Sequence, residues 1–228
     1  MHHCPPEVPG PPAGWVTLGD SYTIGTSVAE QERWPNQVVA RLPAGRVRLL
    51  ANLAGNGATS RDVIERQLPR LAALRPTLAS LLVGVNDVVR DVAAAEFRAN
   101  GATILDELVA AVSPGGLIVV STPDYTVSPS GGEYGEPAAR RAAIVEFNAI
   151  LAELARDRGV AFVDILDLSR LARDDPSLVA GDGLHPSAAQ YRLWVDRIGP
   201  VVEGLLGYQA GRRRFRASSP SRRSSMPR

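Results

Sequence analysis

Short apolar segments alternate along this chain with longer segments of helical periodicity, and this alternation limits the possible folds more than any other feature. Apolar runs with β-strand character occur at residues 15–18, 47–53, 80–83, 117–121 and 161–165. Helical patterns follow them at residues 35–41, 60–74, 94–112, 137–158 and 186–206. Strands that alternate with helices in this way form a parallel sheet covered by helices. We therefore predict an α/β fold with a mainly parallel, five-stranded sheet.

The composition indicates one folded domain with a tail at each end. Of the 228 residues, 45% are apolar and 21% are charged, which is typical of a globular protein. Residues 1–13 are rich in proline and hold Cys4, the only cysteine, whereas residues 207–228 hold seven arginines and no acidic residue. We predict a domain at residues 14–206 between two disordered tails. No apolar run could span a membrane and no secretory signal is recognisable, which predicts a cytoplasmic protein.

Several classes of site are excluded or disfavoured by composition and spacing. All 25 basic residues counted as Lys and Arg are arginine, which excludes a P-loop lysine or a Schiff-base lysine. The glycines of "GNGATS" at residues 55–60 lack the spacing of a dinucleotide-binding loop. Two of the three histidines, His2 and His3, lie in the N-terminal tail, so a zinc site is disfavoured. We predict no cofactor and no metal.

Four polar segments follow predicted strands. Gly-Asp-Ser at residues 19–21 follows the first strand, "NLAGNGATS" at 52–60 the second, and "VGVND" at 83–87 the third. "GDGLHPS" at 181–187 follows the last strand and leads into the final helix. Because ligands bind at the carboxyl ends of parallel strands, we expect these segments to meet at one edge of the sheet.

The residue types in these segments suit nucleophilic catalysis. A serine hydroxyl needs a nearby base that is oriented by a third group, and His185, preceded by Asp182, is the histidine that could serve Ser21. An oxyanion needs hydrogen-bond donors, for which the Ser21 N–H, the Gly57 N–H and the Asn86 amide are candidates. Ser21 is not in a G-x-S-x-G elbow, so an α/β-hydrolase fold is disfavoured.

These four segments resemble, in order and spacing, the four blocks of the SGNH/GDSL hydrolase family, over residues 15–206. The resemblance implies a flavodoxin-like three-layer α/β/α sandwich. It also implies a triad of Ser21, Asp182 and His185, with an oxyanion hole of Ser21, Gly57 and Asn86.

Within the second block Gly55 competes with Gly57 for the oxyanion role. Gly57 is preferred because the glycine of the family usually lies five residues after the asparagine represented here by Asn52. The resemblance makes Asp20 a structural residue that braces its loop. Asp87 is expected to cap the helix that follows it.

Aromatic residues allow two interpretations. We expect Trp34 and Trp194 to pack in the core. Tyr125 and Tyr134 lie in the long segment 122–137, where they either line a substrate pocket or are surface residues.

The sequence thus predicts a serine esterase that acts on a small-molecule ester through an acyl-enzyme. Acetyl-sugar esterase, lysophospholipase and thioesterase activities fit the same site, and a non-catalytic relative that binds carbohydrate or lipid is an alternative. A nucleic-acid protein acting through its arginine tail is a further rival, but no nucleic-acid partner is expected. The oligomeric state is not encoded in these motifs, and we expect a monomer.

Overall fold

A five-stranded parallel sheet forms the centre of the protein, as predicted. The computed structural model describes the backbone of residues 11–218 and the side chains of residues 11–207. The strands are β1 Ala13–Gly19, β2 Val47–Asn52, β3 Leu78–Leu82, β4 Leu117–Val120 and β5 Ala161–Val163. Their order in the sheet is β2-β1-β3-β4-β5, and every neighbouring pair is parallel. This is the flavodoxin-like order of a doubly wound sheet.

The helices follow the strands in chain order. They are α1 Ser21–Ile24, α2 Trp34–Arg41, α3 Ser60–Asp62, α4 Leu71–Leu74, α5 Val85–Val89, α6 Ala94–Val112, α7 Pro137–Asp157, α8 Leu166–Ser169 and α9 Ala188–Ser218. The helical stretch predicted at 60–74 is confirmed, but it is not a regular α-helix throughout. A π-helical turn at Val63–Gln67 and a 3₁₀ turn at Leu68–Arg70 separate α3 from α4. Pro69 has no N–H group to donate and crowds the preceding turn, which disfavours regular α-helical hydrogen bonding around it.

The last helix differs from the prediction at both ends. Pro186 does not start the helix, because it pairs with Val179 in a short antiparallel bridge, and α9 begins at Ala188. At the other end the helical backbone continues past residue 206 to Ser218. Residues 207–218 contain no proline and are rich in arginine, which has a high helix propensity. His2, His3, Cys4 and the end of the predicted C-terminal tail, residues 219–228, lie outside the described residues.

Aromatic contacts join the helices to the sheet and to one another. Trp15 of β1 meets Trp34 of α2 edge to face at 5.7 Å, and α2 packs on α9, which contains the fully buried Trp194. Phe97 of α6 and Phe147 of α7 stack at 4.0 Å between ring centroids. Trp34 and Trp194 are both fully buried, so they are core residues as expected. These contacts build a three-layer sandwich.

The strand order creates a crevice at the carboxyl ends of β1 and β3. From β1 the chain moves to β2 on one side, and from β3 it moves to β4 and β5 on the other side. Ligands bind at such a reversal in open α/β sheets, because the connecting loops diverge there. Ser21 follows β1 and Asn86 follows β3, so both lie at this crevice.

Within residues 11–218, no helix has the length and apolar character needed to cross a bilayer.

The α6–α7 layer should depend on the stacked Phe97 ring. We expect Phe97→Ala to lower the free energy of unfolding by about 3–5 kcal/mol, because it leaves a cavity against Phe147. Chemical denaturation monitored by circular dichroism measures this change. Glu107→Ala, at an exposed position of the same helix, is the control and should change stability by less than about 0.5 kcal/mol. Equal losses in both variants would contradict the packing argument.

Candidate active site

The end of β1 is held very close to the end of β3. Gly19 has φ +142°, and a Cβ atom at this position would lie 1.9 Å from the carbonyl oxygen of Leu82. The Gln67 amide accepts from the Gly19 N–H at 2.9 Å and donates to the Gly19 carbonyl at 2.8 Å. Glycine is therefore required here, and the first turn after β1 starts from a rigid position.

Ser21 is the first residue of the short helix α1. Asp20 caps this helix, since its Oδ1 accepts from the Tyr22 N–H at 3.0 Å, and Gly25 ends it with φ +75°. This is the bracing role that the sequence predicts for Asp20. Ser21 is 6% exposed, and its hydroxyl has no hydrogen-bond partner among the described residues. The hydroxyl is therefore positioned by backbone geometry.

Asp182 and His185 form a hydrogen-bonded pair within one turn. Asp182 Oδ2 lies 2.6 Å from His185 Nδ1, and Oδ1 accepts the N–H groups of Leu184 and His185 at 2.9 Å each. Gly183, with φ +74°, allows the turn to fold back in this way. Because the carboxylate accepts at Nδ1, that nitrogen carries the ring proton and Nε2 presents its lone pair. Nε2 is thus the atom that can accept a proton from a substrate or a serine.

Hydrogen bonds also keep Asp182 ionised. Burial alone would raise the pKa of Asp182, but hydrogen bonds from the Ser27 hydroxyl, the Leu184 and His185 N–H groups and the His185 ring outweigh it. The pKa of this carboxyl therefore lies well below its usual range. A permanently charged carboxylate can stabilise an imidazolium when His185 takes up a proton.

The segment that carries Ser21 touches the turn that carries His185. The rings of Tyr22 and His185 lie 5.2 Å apart between centroids, and the Ser27 hydroxyl donates to Asp182 Oδ2 at 2.5 Å. Tyr191 of α9 also donates its hydroxyl hydrogen to the Tyr22 carbonyl at 3.0 Å. The fold therefore brings the first and fourth sequence segments together at one edge of the sheet.

The predicted oxyanion donors differ in availability. The Gly55 N–H is already bonded to the Gly19 carbonyl at 3.2 Å. The N–H groups of Gly57 and Ser21 donate to no acceptor among the described residues. Asn86 uses one amide hydrogen to bind the Ala58 carbonyl at 3.0 Å and retains the other. This geometry favours Gly57 over Gly55.

Helix α5 and the residue after it hold the second loop. Arg90 donates to the Gly57 carbonyl at 2.9 Å, next to the bond between Asn86 and Ala58. Asp87 accepts the Ser60 N–H at 2.9 Å and the Ser60 hydroxyl at 2.5 Å. The expectation that Asp87 caps the helix after it is therefore wrong, because its carboxylate is used by the start of α3. The second and third segments are therefore hydrogen-bonded to each other.

The two tyrosines of segment 122–137 lie in different environments. Tyr125 is 3% exposed, whereas Tyr134 is 38% exposed, and their rings meet edge to face at 6.1 Å. The segment contacts the His185 turn, because the Ser130 N–H donates to the Gly183 carbonyl at 2.9 Å. A role of either tyrosine in substrate binding stays a prediction.

Three residues that contact the predicted site were missed from the sequence: Ser27, Gln67 and Arg90. Each makes its contact through a side chain whose partner lies at least 33 positions away in the chain. Residue type alone offers no signal for such pairs.

Among the residues that the structure describes, no group of three or more His, Cys, Asp or Glu side chains could hold a metal ion.

Comparison with known proteins gives a consistent result. Residues 17–193 match the model of the GDSL-like lipase/acylhydrolase family. A GDSL lipase of Mycobacterium tuberculosis is 24% identical over 196 residues, which cover 82% of this chain and 80% of that protein.

Solved structures show the same fold. An acetylxylan esterase from Geobacillus stearothermophilus is 21% identical, with a TM-score of 0.66 over 87% of this chain and 95% of that chain. An enzyme described as an alpha/beta hydrolase, from the metagenome of Lake Arreo in Spain, is also 21% identical. Its TM-score is 0.64 over 86% of this chain and 96% of that chain.

A buried carboxyl group directly precedes Ser21 in the chain. Asp20 is fully buried, and its Oδ2 has no hydrogen-bond partner among the described residues. Burial raises the pKa of Asp20 from 3.8 to about 8 and outweighs the Tyr22 N–H, which lowers it, while the nearby Asp87 raises it further. At neutral pH this carboxyl is therefore mainly protonated, and it adds no full negative charge beside Ser21.

The raised pKa of Asp20 predicts a pH-dependent cost to stability. The folded protein keeps this proton to about pH 8, whereas the unfolded chain releases it near pH 4, so Asp20 lowers stability progressively as the pH rises through this window. Asp20→Asn keeps an oxygen acceptor for the Tyr22 N–H and carries no charge. We therefore expect its thermal midpoint to rise by several degrees relative to wild type between about pH 4 and about pH 8.

Differential scanning calorimetry at a series of pH values measures this difference. The control is Asp174→Asn, at an exposed position, whose midpoint should remain parallel to that of wild type. A parallel curve for Asp20→Asn as well would contradict the raised pKa.

Proposed function

Because the chain belongs to the GDSL-like lipase/acylhydrolase family, and is therefore a carboxylic ester hydrolase, we propose that it acts through an acyl-enzyme formed on Ser21. The observation that carries this proposal is the hydrogen bond of 2.6 Å between Asp182 Oδ2 and His185 Nδ1. It leaves Nε2 as the proton acceptor at the crevice where Ser21 lies. Ser21 Oγ is the nucleophile in this proposal, because the contacts of Tyr22 with His185 and of Ser27 with Asp182 bring its segment to this base.

Acylation takes place in two steps. Ser21 Oγ attacks the carbonyl carbon of the ester as His185 Nε2 accepts the hydroxyl proton, which yields a tetrahedral oxyanion. The bond between this carbon and the leaving oxygen then breaks, and Nε2 returns the proton to the departing alcohol. Asp182 stabilises the imidazolium between these two proton transfers.

In deacylation, water is the nucleophile and Ser21 Oγ is the leaving group. His185 Nε2 accepts a proton from a water molecule that attacks the acyl carbon on Ser21. The second tetrahedral oxyanion collapses, the bond to Ser21 Oγ breaks, and Nε2 returns the proton to the serine. The products are a carboxylic acid and an alcohol, and no cofactor is consumed.

Three donors stabilise the oxyanion in both half-reactions. They are the N–H groups of Ser21 and Gly57 and the remaining amide hydrogen of Asn86. This assignment is supported by the absence of other acceptors for these hydrogens among the described residues. The bonds from Asn86 and Arg90 to the loop of Gly57 support it further. Preorganised donors of this kind stabilise the charge without reorganisation during the reaction.

The substrate class within carboxylic esters is best approached by a screen. Acetylated sugars come first, because a solved relative that covers most of this chain is an acetylxylan esterase. Lysophospholipids, thioesters and nitrophenyl esters of increasing chain length complete the set. A non-catalytic carbohydrate- or lipid-binding relative is disfavoured, since binding alone would have no use for the Asp182–His185 pair.

Removal of the nucleophile should abolish turnover without affecting the fold. We expect Ser21→Ala to lower kcat for short-chain nitrophenyl esters by at least about 10⁴-fold, because no other group replaces Oγ. The thermal midpoint should remain close to that of wild type, as the hydroxyl has no hydrogen-bond partner among the described residues. Thr103→Ala, which removes an exposed hydroxyl from α6, is the control. Unchanged turnover in Ser21→Ala would refute the acyl-enzyme.

The oxyanion role of Asn86 predicts a different kinetic effect. We expect Asn86→Ala to lower kcat by about 10²–10³-fold and to change KM little, because the donor acts on charge that develops in the transition state. Steady-state kinetics on the best ester of the screen measures both constants. Asn36→Ala, in α2, removes an amide outside the crevice and should leave both unchanged. A rise in KM at constant kcat in Asn86→Ala would show that the amide binds substrate only.

A further inference from the structure

Ser27 has an unfavourable backbone conformation close to the predicted triad. Its φ is +66°, and positive values occur at only three other non-glycine positions among the described residues, namely Arg75, Asp91 and Ser113. Such a conformation costs free energy for a residue with a Cβ atom, so it persists only where surrounding contacts hold it. Strained residues of this kind cluster at functional sites. The contact made by the Ser27 side chain therefore matters.

That contact is with Asp182. The Ser27 hydroxyl donates to Asp182 Oδ2 at 2.5 Å, and the same oxygen lies 2.6 Å from His185 Nδ1. Asp182 Oδ1 is used by the N–H groups of Leu184 and His185. Within residues 11–207, Ser27 thus provides the one hydrogen bond to this carboxylate that comes from outside its own turn.

The turn cannot by itself set the distance between the base and the nucleophile. The bonds within residues 182–185 orient the imidazole relative to the carboxylate, but they connect neither group to Ser21. Ser27 provides this connection, because the backbone N–H groups of the preceding residues Gly25 and Thr26 donate to the Ser21 carbonyl at 3.0 and 3.1 Å. The Thr26 hydroxyl also binds the Asn56 side chain at 2.5 Å. The Ser27 hydroxyl is therefore connected to Ser21 through a short, bonded segment.

We propose that Ser27 is a positioning residue of this active site, whose hydroxyl docks the Asp182–His185 pair against the segment that carries the nucleophile. The inference rests on the proposed function of Ser21 and His185. Of the hydrogen bonds that hold the pKa of Asp182 below its usual range, against the effect of burial, the one from Ser27 is the largest contribution. Both the strain at Ser27 and the charge on Asp182 are consistent with this role.

Substitutions at Ser27 can separate positioning from stability. Ser27→Ala removes the hydroxyl and keeps the strained φ, whereas Ser27→Gly removes the hydroxyl and relieves the strain. We expect both variants to lose about tenfold in kcat with KM within about twofold of wild type, because a misplaced base slows proton transfer. The thermal midpoint of Ser27→Gly should equal or exceed that of Ser27→Ala.

A matched control exists at Ser113. It is exposed and has φ +65°, and its hydroxyl makes no hydrogen bond with the residues that the structure describes. Ser113→Ala and Ser113→Gly should leave kcat and KM unchanged. The same loss of kcat in these variants would overturn the proposal.

A spectroscopic measurement tests the contact independently of turnover. The low-field proton resonance of His185 Nδ1–H can be identified by its absence in His185→Asn. Its chemical shift should change in Ser27→Gly and should equal that of wild type in Ser113→Gly. Wild-type kcat and an unshifted resonance in Ser27→Gly would overturn the positioning role. That result would leave the acyl-enzyme intact if Ser21→Ala is inactive, whereas an active Ser21→Ala would refute the proposed function itself.

Discussion

The backbone contact between the ends of β1 and β3 is the constraint on which the rest of the site depends. Gly19 and the Leu82 carbonyl approach so closely that no side chain fits between them. The two central strands can therefore end side by side, and the turns that follow them share one crevice. The Gln67 side chain locks this approach by binding both polar groups of the Gly19 backbone. Ser21 and Asn86 are therefore placed at this crevice by main-chain packing of a parallel sheet.

Two separate sets of contacts complete the site. The predicted oxyanion donors of the second and third segments are joined by side-chain bonds to the second loop from Asn86 and Asp87 of α5 and from Arg90 after it. The acid–base half depends on a C-terminal turn that is internally rigid and is joined to the first segment through Tyr22 and Ser27. The predicted oxyanion donors and the predicted acid–base pair are therefore held by different hydrogen bonds.

Much of the fold could be predicted from periodicity, and the failures have identifiable causes. The five strands were found because a parallel sheet buries both faces and so needs continuous apolar runs. The helical stretch at 60–74 was predicted, but its apolar pattern does not reveal the π-helical turn and the 3₁₀ turn around Pro69. The end of α9 failed because the prediction stopped where the apolar pattern stopped, whereas the helical backbone continues to Ser218.

Within the candidate site, the order of four short blocks predicted Ser21, Asp182 and His185, but not what holds them. Ser27 is one serine among many, and its partner is 155 positions away. Aspartate is a residue type that often caps helices, but Asp87 instead binds Ser60 of another segment. Pairings of this kind depend on which backbone segments the packed sheet brings within hydrogen-bond distance.

The sequence by itself determined the chemistry that is available: one hydroxyl, one imidazole and one carboxylate, at spacings that place each after a strand or before the last helix. It determined the strand and helix pattern as well, because the apolar residues that become buried recur in the local sequence at the spacing of a strand or of a helix. Only the tertiary structure decided which glycine N–H remains available, that burial raises the pKa of Asp20, and that Ser27 reaches Asp182. These depend on distances between segments remote in the chain, and such distances exist only once the sheet has been packed.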